Sequence, residues 1–200
     1  MKKIKFSPWV GLHYNEGIAG HRIMVLGESH YCASESDAVP ELTNHIIKDL
    51  FDSDSEHEGY KNTYTKFERA LAGRPLTFSE KREVWNSILF YNYVQVPISG
   101  ARVAPTSQEF SSSEYAFFDV LEEYLPDYII IWGERLYNNL PRCGGQLPDL
   151  DLSNGDSFET WGYDLPTGHT VQLLRIIHPS SAFVPEYWHE VITSFIGRRI

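Results

Sequence analysis

An α/β sandwich of three layers, with a central and mainly parallel four-stranded sheet, is the fold that this sequence predicts. Three observations predict it. Four short, continuous apolar runs punctuate the chain: 23–26, 88–91, 129–131 and 173–177. Runs this short and unbroken suit strands buried on both faces of a parallel sheet. Segments with helical periodicity separate them, which implies right-handed β-α-β crossovers. Each run also ends in polar residues, and in open α/β sheets ligands bind outside the carboxyl ends of the strands.

The elements follow in order. Residues 22–26 form the first strand. Residues 40–51 form a helix with Leu42, His45, Ile46 and Leu50 on one face. Residues 52–59 are an acidic, solvated loop. Residues 63–72 form a helix stopped by Gly73. Another helix spans 79–88; it opens at Ser79 and lacks the Glu of a full capping box three residues on, where Arg82 stands. The second strand is 89–94. Pro97, Gly100 and Pro105 make 95–107 an ordered loop or turn region. Ser112 or Ser113 caps a helix running to 124. Tyr115, Phe118, Leu121 and Leu125 turn toward the core, Val120 more weakly, and Pro126 ends the helix. The third strand is 128–132, followed by a short helix over 134–140. Residues 157–163 and 170–177 form a hairpin around Pro166-Thr167-Gly168, its second arm being the fourth strand. A last helix covers 185–195. No repeat or linker divides the chain, so one domain over 1–200 is expected.

Composition narrows the function classes. A 200-residue chain with 42% hydrophobic residues can bury a core of its own. The formal charge of −10 argues against a protein that grips a long stretch of nucleic acid. It leaves a small ligand, a local cationic patch or a protein partner. Two cysteines, Cys32 and Cys143, cannot hold a four-thiolate cluster, and a reduced, cytoplasmic protein is the simplest expectation. The first residues lack the apolar core of a signal peptide, and no segment approaches membrane-spanning length.

The candidate site residues sit at the strand ends. Gly27-Glu28-Ser29-His30-Tyr31 follows the first strand, and the glycine lets a ligand approach the backbone. Asn92 is out of place in a strand. Its amide offers a donor and an acceptor side by side, which matches the edge of a pyrimidine. His178-Pro179-Ser180-Ser181 follows the fourth strand, where a histidine can donate a hydrogen bond or act as a base.

Together, Gly27 to Tyr31, Asn92, Ile131-Trp132-Gly133 and His178-Pro179-Ser180 resemble the ordered motifs of the uracil-DNA glycosylase superfamily. Asn92, Arg102, Pro105 and Glu109 resemble a stretch of its iron–sulfur branch, and Leu125-Pro126-Asp127 follows as in that branch. The resemblance runs from about residue 22 to 183. It implies hydrolysis of the N-glycosidic bond of a flipped uracil or modified base in DNA, without a metal. It implies that Asn92 reads the base, that His178 stabilises the departing base, and that Tyr31 excludes a 5-methyl group. Ser180 and Ser181 would contact phosphate or pinch the backbone, and Arg102 would also bind phosphate. The chain departs from the pattern at Ser29, where the strongest uracil enzymes carry a water-orienting Asp, and at His30, where Pro is usual. Glu28 or His30 would then orient the water. The cluster cysteines are absent, so no cofactor is expected.

Two other readings fit the same residues. The fold could be retained to bind a base, nucleotide or protein with hydrolysis lost. Gly27-Glu28-Ser29 and Glu186-Tyr187-Trp188-His189 also resemble the serine motif and Asp-x-x-His ending of lipase/esterase-type hydrolases. Ser29 would then be the nucleophile, His189 its base and Glu186 the orienter.

Overall fold

The computed structural model describes residues 4–52, 54–56, 58–100 and 103–197. The strands are β1 (Trp9–Val10), β2 (Ile23–Gly27), β3 (Ile88–Asn92), β4 (Tyr128–Trp132), β5 (Gly145–Asp151), β6 (Ser157–Asp164) and β7 (Thr170–Ile176). The helices are α1 (Leu42–Asp49), α2 (Lys61–Ala72), α3 (Phe78–Asn86), α4 (Ser107–Ser112), α5 (Glu114–Tyr124), α6 (Glu134–Asn138) and α7 (Pro185–Ile196). Among the described residues the strands form one mixed sheet of seven, in the order β1-β3-β2-β4-β7-β6-β5. The expected four-stranded sheet is therefore too small. Strands β3, β2, β4 and β7 pair in parallel, and antiparallel strands extend both sides: β1 on β3, and β6 then β5 on β7.

The apolar runs explain the parallel centre. Every residue of β2, β3 and β4 is buried. Alternate residues face opposite sides. Ile23, Val25, Phe90, Ile130 and Trp132 pack with α1, α2, α3 and α7, while Met24, Leu26, Tyr91, Ile129 and Ile131 pack with α4, α5 and α6. Each fully buried large aliphatic or aromatic side chain contributes roughly 1.5–3 kcal/mol.

Several local expectations need correction. Strand β5 escaped detection because it is an exposed edge with one buried residue, Leu150, and a register shift across Pro148. Neither feature leaves an alternating pattern. Helix α3 is capped two residues earlier than expected, at Thr77 rather than Ser79, and Glu80 completes a full capping box. A second such box, Thr106 with Glu109, opens the unforeseen short helix α4. Helix α1 turns Thr43 and Ile47 inward, followed by Leu50, and leaves His45 exposed. Helix α5 buries Ala116, Phe117, Val120 and Leu121, leaving Tyr115 at the surface. In the acidic loop the chain is tied down: Lys61 bonds Asp49 at 2.8 Å and the Glu56 carbonyl at 2.7 Å. Cys32 is buried, Cys143 is exposed, and both are free thiols. No helix among the described residues is long and apolar enough to cross a membrane.

Candidate active site

Strand register places the candidate residues together. Gly27 stands opposite Asn92, Leu26 opposite Ile131, and Trp132 opposite Ile176. The carboxyl ends of all four parallel strands are therefore level, and the segments that follow them open at one edge of the sheet. Strand β2 has β3 on one side and β4 on the other, so the winding direction reverses there. Such a switch point is where open α/β sheets bind ligands. A cavity of about 660 Å3 lies at this edge, walled by Gly27 to Tyr31, Asn92, Trp132 to Leu136, His178 and Ser180. Phe90, with Tyr60 and Tyr64 of the α2 region, adds aromatic wall. The size is within the roughly 300–1,000 Å3 of small-molecule sites.

Gly27 is required by close approach. A Cβ there would lie 2.2 Å from Asn92 Oδ1 and 3.1 Å from Phe90 Cζ. Asn92 is buried, and its Nδ2 lies 3.1 Å from His30 Nε2 and 3.3 Å from His30 Nδ1. His30 Nε2 is also 2.8 Å from Thr43 Oγ1 on α1. Burial pushes the His30 pKa down to about 4, so the ring is neutral at ordinary pH. The loop that carries it is stitched to the chain after β3: the amides of Tyr93, Val94 and Ile98 donate to the carbonyls of Gly27, Glu28 and His30. Gln95 adds to this support, donating to the Asn92 carbonyl at 2.8 Å.

His178 leaves β7 and packs edge-on against Trp132, ring centroids 5.9 Å apart. Its Nδ1 accepts from the Ser180 amide at 3.2 Å and lies 2.7 Å from Ser180 Oγ. A backbone amide can only donate, so Nδ1 is the acceptor nitrogen and Nε2 carries the proton. Burial lowers the His178 pKa; Glu28 opposes that shift and Arg135 adds to it. The ring thus presents a neutral Nε2–H donor.

Glu28 is not a free base. Arg135 grips it with two bonds, Nε to Oε2 at 2.8 Å and Nη2 to Oε1 at 2.5 Å. The fork geometry is the strong form of this pairing. Tyr31 stands half exposed at the rim, and burial together with Glu28 raises its pKa, keeping the hydroxyl protonated. Ser29 Oγ and Trp132 Nε1 are buried atoms of the cavity walls with no hydrogen-bond partner among the described residues. They leave the walls with unused polar capacity.

Glu28, Ser29, His30, Tyr31, Asn92, His178 and Ser180 thus meet in one cavity. Ser181 does not line it; its carbonyl accepts from Lys66 at 3.2 Å. Arg102 lies outside the described residues. The esterase arrangement does not assemble. His189 bonds the Ala70 carbonyl at 2.8 Å and packs over Gly73, while Glu186 pairs with Arg69. Sequence reasoning passed over Arg135 and Thr43. Arg135 follows the carboxyl end of a strand, the same signal that marked Gly27 to Tyr31. Thr43 carried no signal, because its role depends on the angle at which α1 meets the loop.

No family model matches the chain, and no curated relative matches it.

Proposed function

We propose that the protein binds an extruded nucleotide and hydrolyses its N-glycosidic bond, in the manner of the uracil-DNA glycosylase superfamily. The observation that carries this reading is the convergence of Asn92 and the His178 Nε2–H on one aromatic-walled cavity. Asn92 pairs with the edge of the base. The C1′–N bond breaks with its electron pair leaving on the base, and the sugar becomes an oxocarbenium ion. The His178 donor meets the negative charge that develops on a carbonyl oxygen of the base. Water then adds to C1′ and releases a proton.

Glu28 is held by Arg135 and His30 is enclosed with Thr43 and Asn92. Neither of these two groups is thus free to draw in the water, which adds to the already developed cation. The charge of −10 limits the nucleic-acid footprint to a short stretch.

The test is release of base from single-stranded and duplex oligonucleotides carrying uracil, hypoxanthine, xanthine or 5-modified pyrimidines, with chelator present. Abasic product that vanishes in Asn92→Ala and His178→Ala supports the reading. A folded protein that releases none of these bases refutes it. One observation favours a binding module instead: the pairing of Glu28 with Arg135, which ties up one of the two carboxylates in the cavity walls, the other being Glu134. Tight binding of a base without turnover would mark that case.

A further inference from the structure

We infer that Gln95 is a positioning residue: its amide couples the N-terminal segment, residues 4–8, to the main chain of Asn92, so that base binding depends on a segment that does not line the cavity. The inference rests on the proposed base-binding role of Asn92.

The need for such a coupling starts at the edge of the sheet. Strand β1 runs antiparallel to β3, with Trp9 opposite Phe90, and the Gly11 amide donates to the Ile88 carbonyl at 3.0 Å. Backbone groups face alternate sides along a strand. The Ile88 carbonyl faces β1, so the carbonyls of Phe90 and Asn92 face the same side. Continued pairing would bring Pro8 and then Ser7 alongside. Pro8 has no amide proton to give. The Ser7 amide donates elsewhere, to the Pro40 carbonyl at 2.8 Å. The pairing therefore stops, and the Asn92 carbonyl faces an edge that supplies no strand donor.

Gln95 fills that gap. Its Nε2 donates to the Asn92 carbonyl at 2.8 Å, and its Oε1 accepts from the amides of Lys5 and Phe6, each at 2.9 Å. These bonds fix the side-chain amide without ambiguity. A main-chain N–H only donates and a carbonyl only accepts, so a half-turn of the amide would break every one of them. Gln95 is buried, and its own main-chain amide donates to Ser113 Oγ at 2.9 Å. The segment on the far side is fixed as well. Asn44 Nδ2 donates to the Pro8 carbonyl at 3.3 Å, and the buried Phe6 packs edge-on against the His30 ring, centroids 4.8 Å apart. The N-terminal segment thus reaches His30 through Phe6 and Asn92 through Gln95. A buried polar group that loses its partner is costly. Without the Gln95 amide, the Asn92 carbonyl and the two N-terminal amides turn toward other partners, and the Asn92 side chain moves with its backbone.

The experiment compares wild type, Gln95→Met and Gln95→Glu with Thr77→Ala, whose capping box belongs to α3 and is not part of the cavity walls. Gln95→Met removes the whole bridge. Gln95→Glu at pH 8 keeps an acceptor for the two amides and removes the donor to Asn92; it carries the test should Gln95→Met not fold. Each should lose about ten- to a hundredfold in kcat/KM for base release while folded, the scale for a positioning group displaced by up to about 1 Å. Affinity for free uracil should fall with it, and Thr77→Ala should keep both. Gln95 variants that stay within about twofold of wild type would overturn the inference.

A second measurement reads the coupling itself. Coupled sites affect each other reciprocally. Saturating uracil should raise the protection of the Lys5 and Phe6 amides against hydrogen exchange in wild type and not in Gln95→Glu. In the ligand-free protein, Gln95→Glu should shift the side-chain NH2 resonances of Asn92. Unmoved Asn92 signals, or bound uracil without a change at Lys5 and Phe6, would overturn the coupling. If the Asn92 signals move but wild type neither binds nor releases any base, the fault lies with the proposed function and not with the coupling.

Discussion

Replacing Gly27 with alanine tests the geometry of the site at its tightest point. The added Cβ would sit 2.2 Å from Asn92 Oδ1, far inside van der Waals contact. Gly27 is paired with Asn92 of β3, and Leu26 before it with Ile131 of β4, so the strand has little room to withdraw. The amide has to move by roughly 1 Å or more to relieve the overlap. A misplacement of about 1 Å in a positioning group costs on the order of 10²-fold in rate. The stability cost is that of overpacking, about 1–3 kcal/mol, which in a chain of this size lowers Tm by about 2–12 °C. The assay is kcat/KM for base release, paired with a melting curve and a competition measurement for free base. Gly27→Ala should remain folded at 25 °C and lose about a hundredfold in activity. An enzyme that keeps activity within about twofold would show that the amide need not lie over Gly27, and the reasoning from that contact would fail.

Other outcomes follow from the same structure. His178→Ala should lower kcat by on the order of 10²–10³-fold with little change in KM, because the donor acts on charge that develops late; equal losses in binding and turnover would remove His178 from that role. His30 titrates near 4 when folded against an ordinary value of 6.5, so the unfolded chain takes up its proton first as pH falls. Its stabilising contribution is complete above about pH 6.5 and is lost on acidification through about pH 4, amounting to about 3 kcal/mol. Urea midpoints for wild type and His30→Phe between pH 7 and 4 should converge on acidification, and parallel curves would contradict the shift. Thr77→Ala removes the capping box of α3 and should cost about 1 kcal/mol, or about 2–4 °C in Tm, without touching base release. A loss of activity there would mean that α3 reaches the site in a way the cavity walls do not indicate.

The parts of this fold that the sequence made legible are those whose burial is symmetrical. Strands β2 and β4 are apolar at every position, and continuous runs cannot be confused with exposed loops. Strand β5 was illegible for the opposite reason: Pro148, Asp149 and Asp151 on an open edge look like a polar turn. Helix α5 carries apolar residues on two overlapping stripes. Only the sheet it packs against decides that Phe117 and Val120 go in while Tyr115 stays out. The site divides along a similar line. Asn92 and His178 were visible because polar groups at the ends of buried strands are costly unless they serve something. The Glu28–Arg135 pair and the Thr43–His30 contact were not, since each joins segments whose meeting depends on helix angles. Glu186 and His189 have the spacing of a triad ending, and the structure sends them to Arg69 and to the Ala70 carbonyl instead.

The strand-end arrangement has a consequence for how the molecule comes into being. The cavity draws on residues from Gly27 to Ser180, so its walls are complete only when β7 has docked beside β4. Contacts this distant in sequence form slowly, because the chain must close long loops before they repay the lost freedom. An unfinished chain still on the ribosome has β2 and β3 available for pairing but no His178 to complete the cavity. A ligand that needs both Asn92 and His178 therefore recognises finished molecules alone. It should raise the stability of the whole chain by RT ln(1 + [L]/Kd) while leaving the early folding steps untouched.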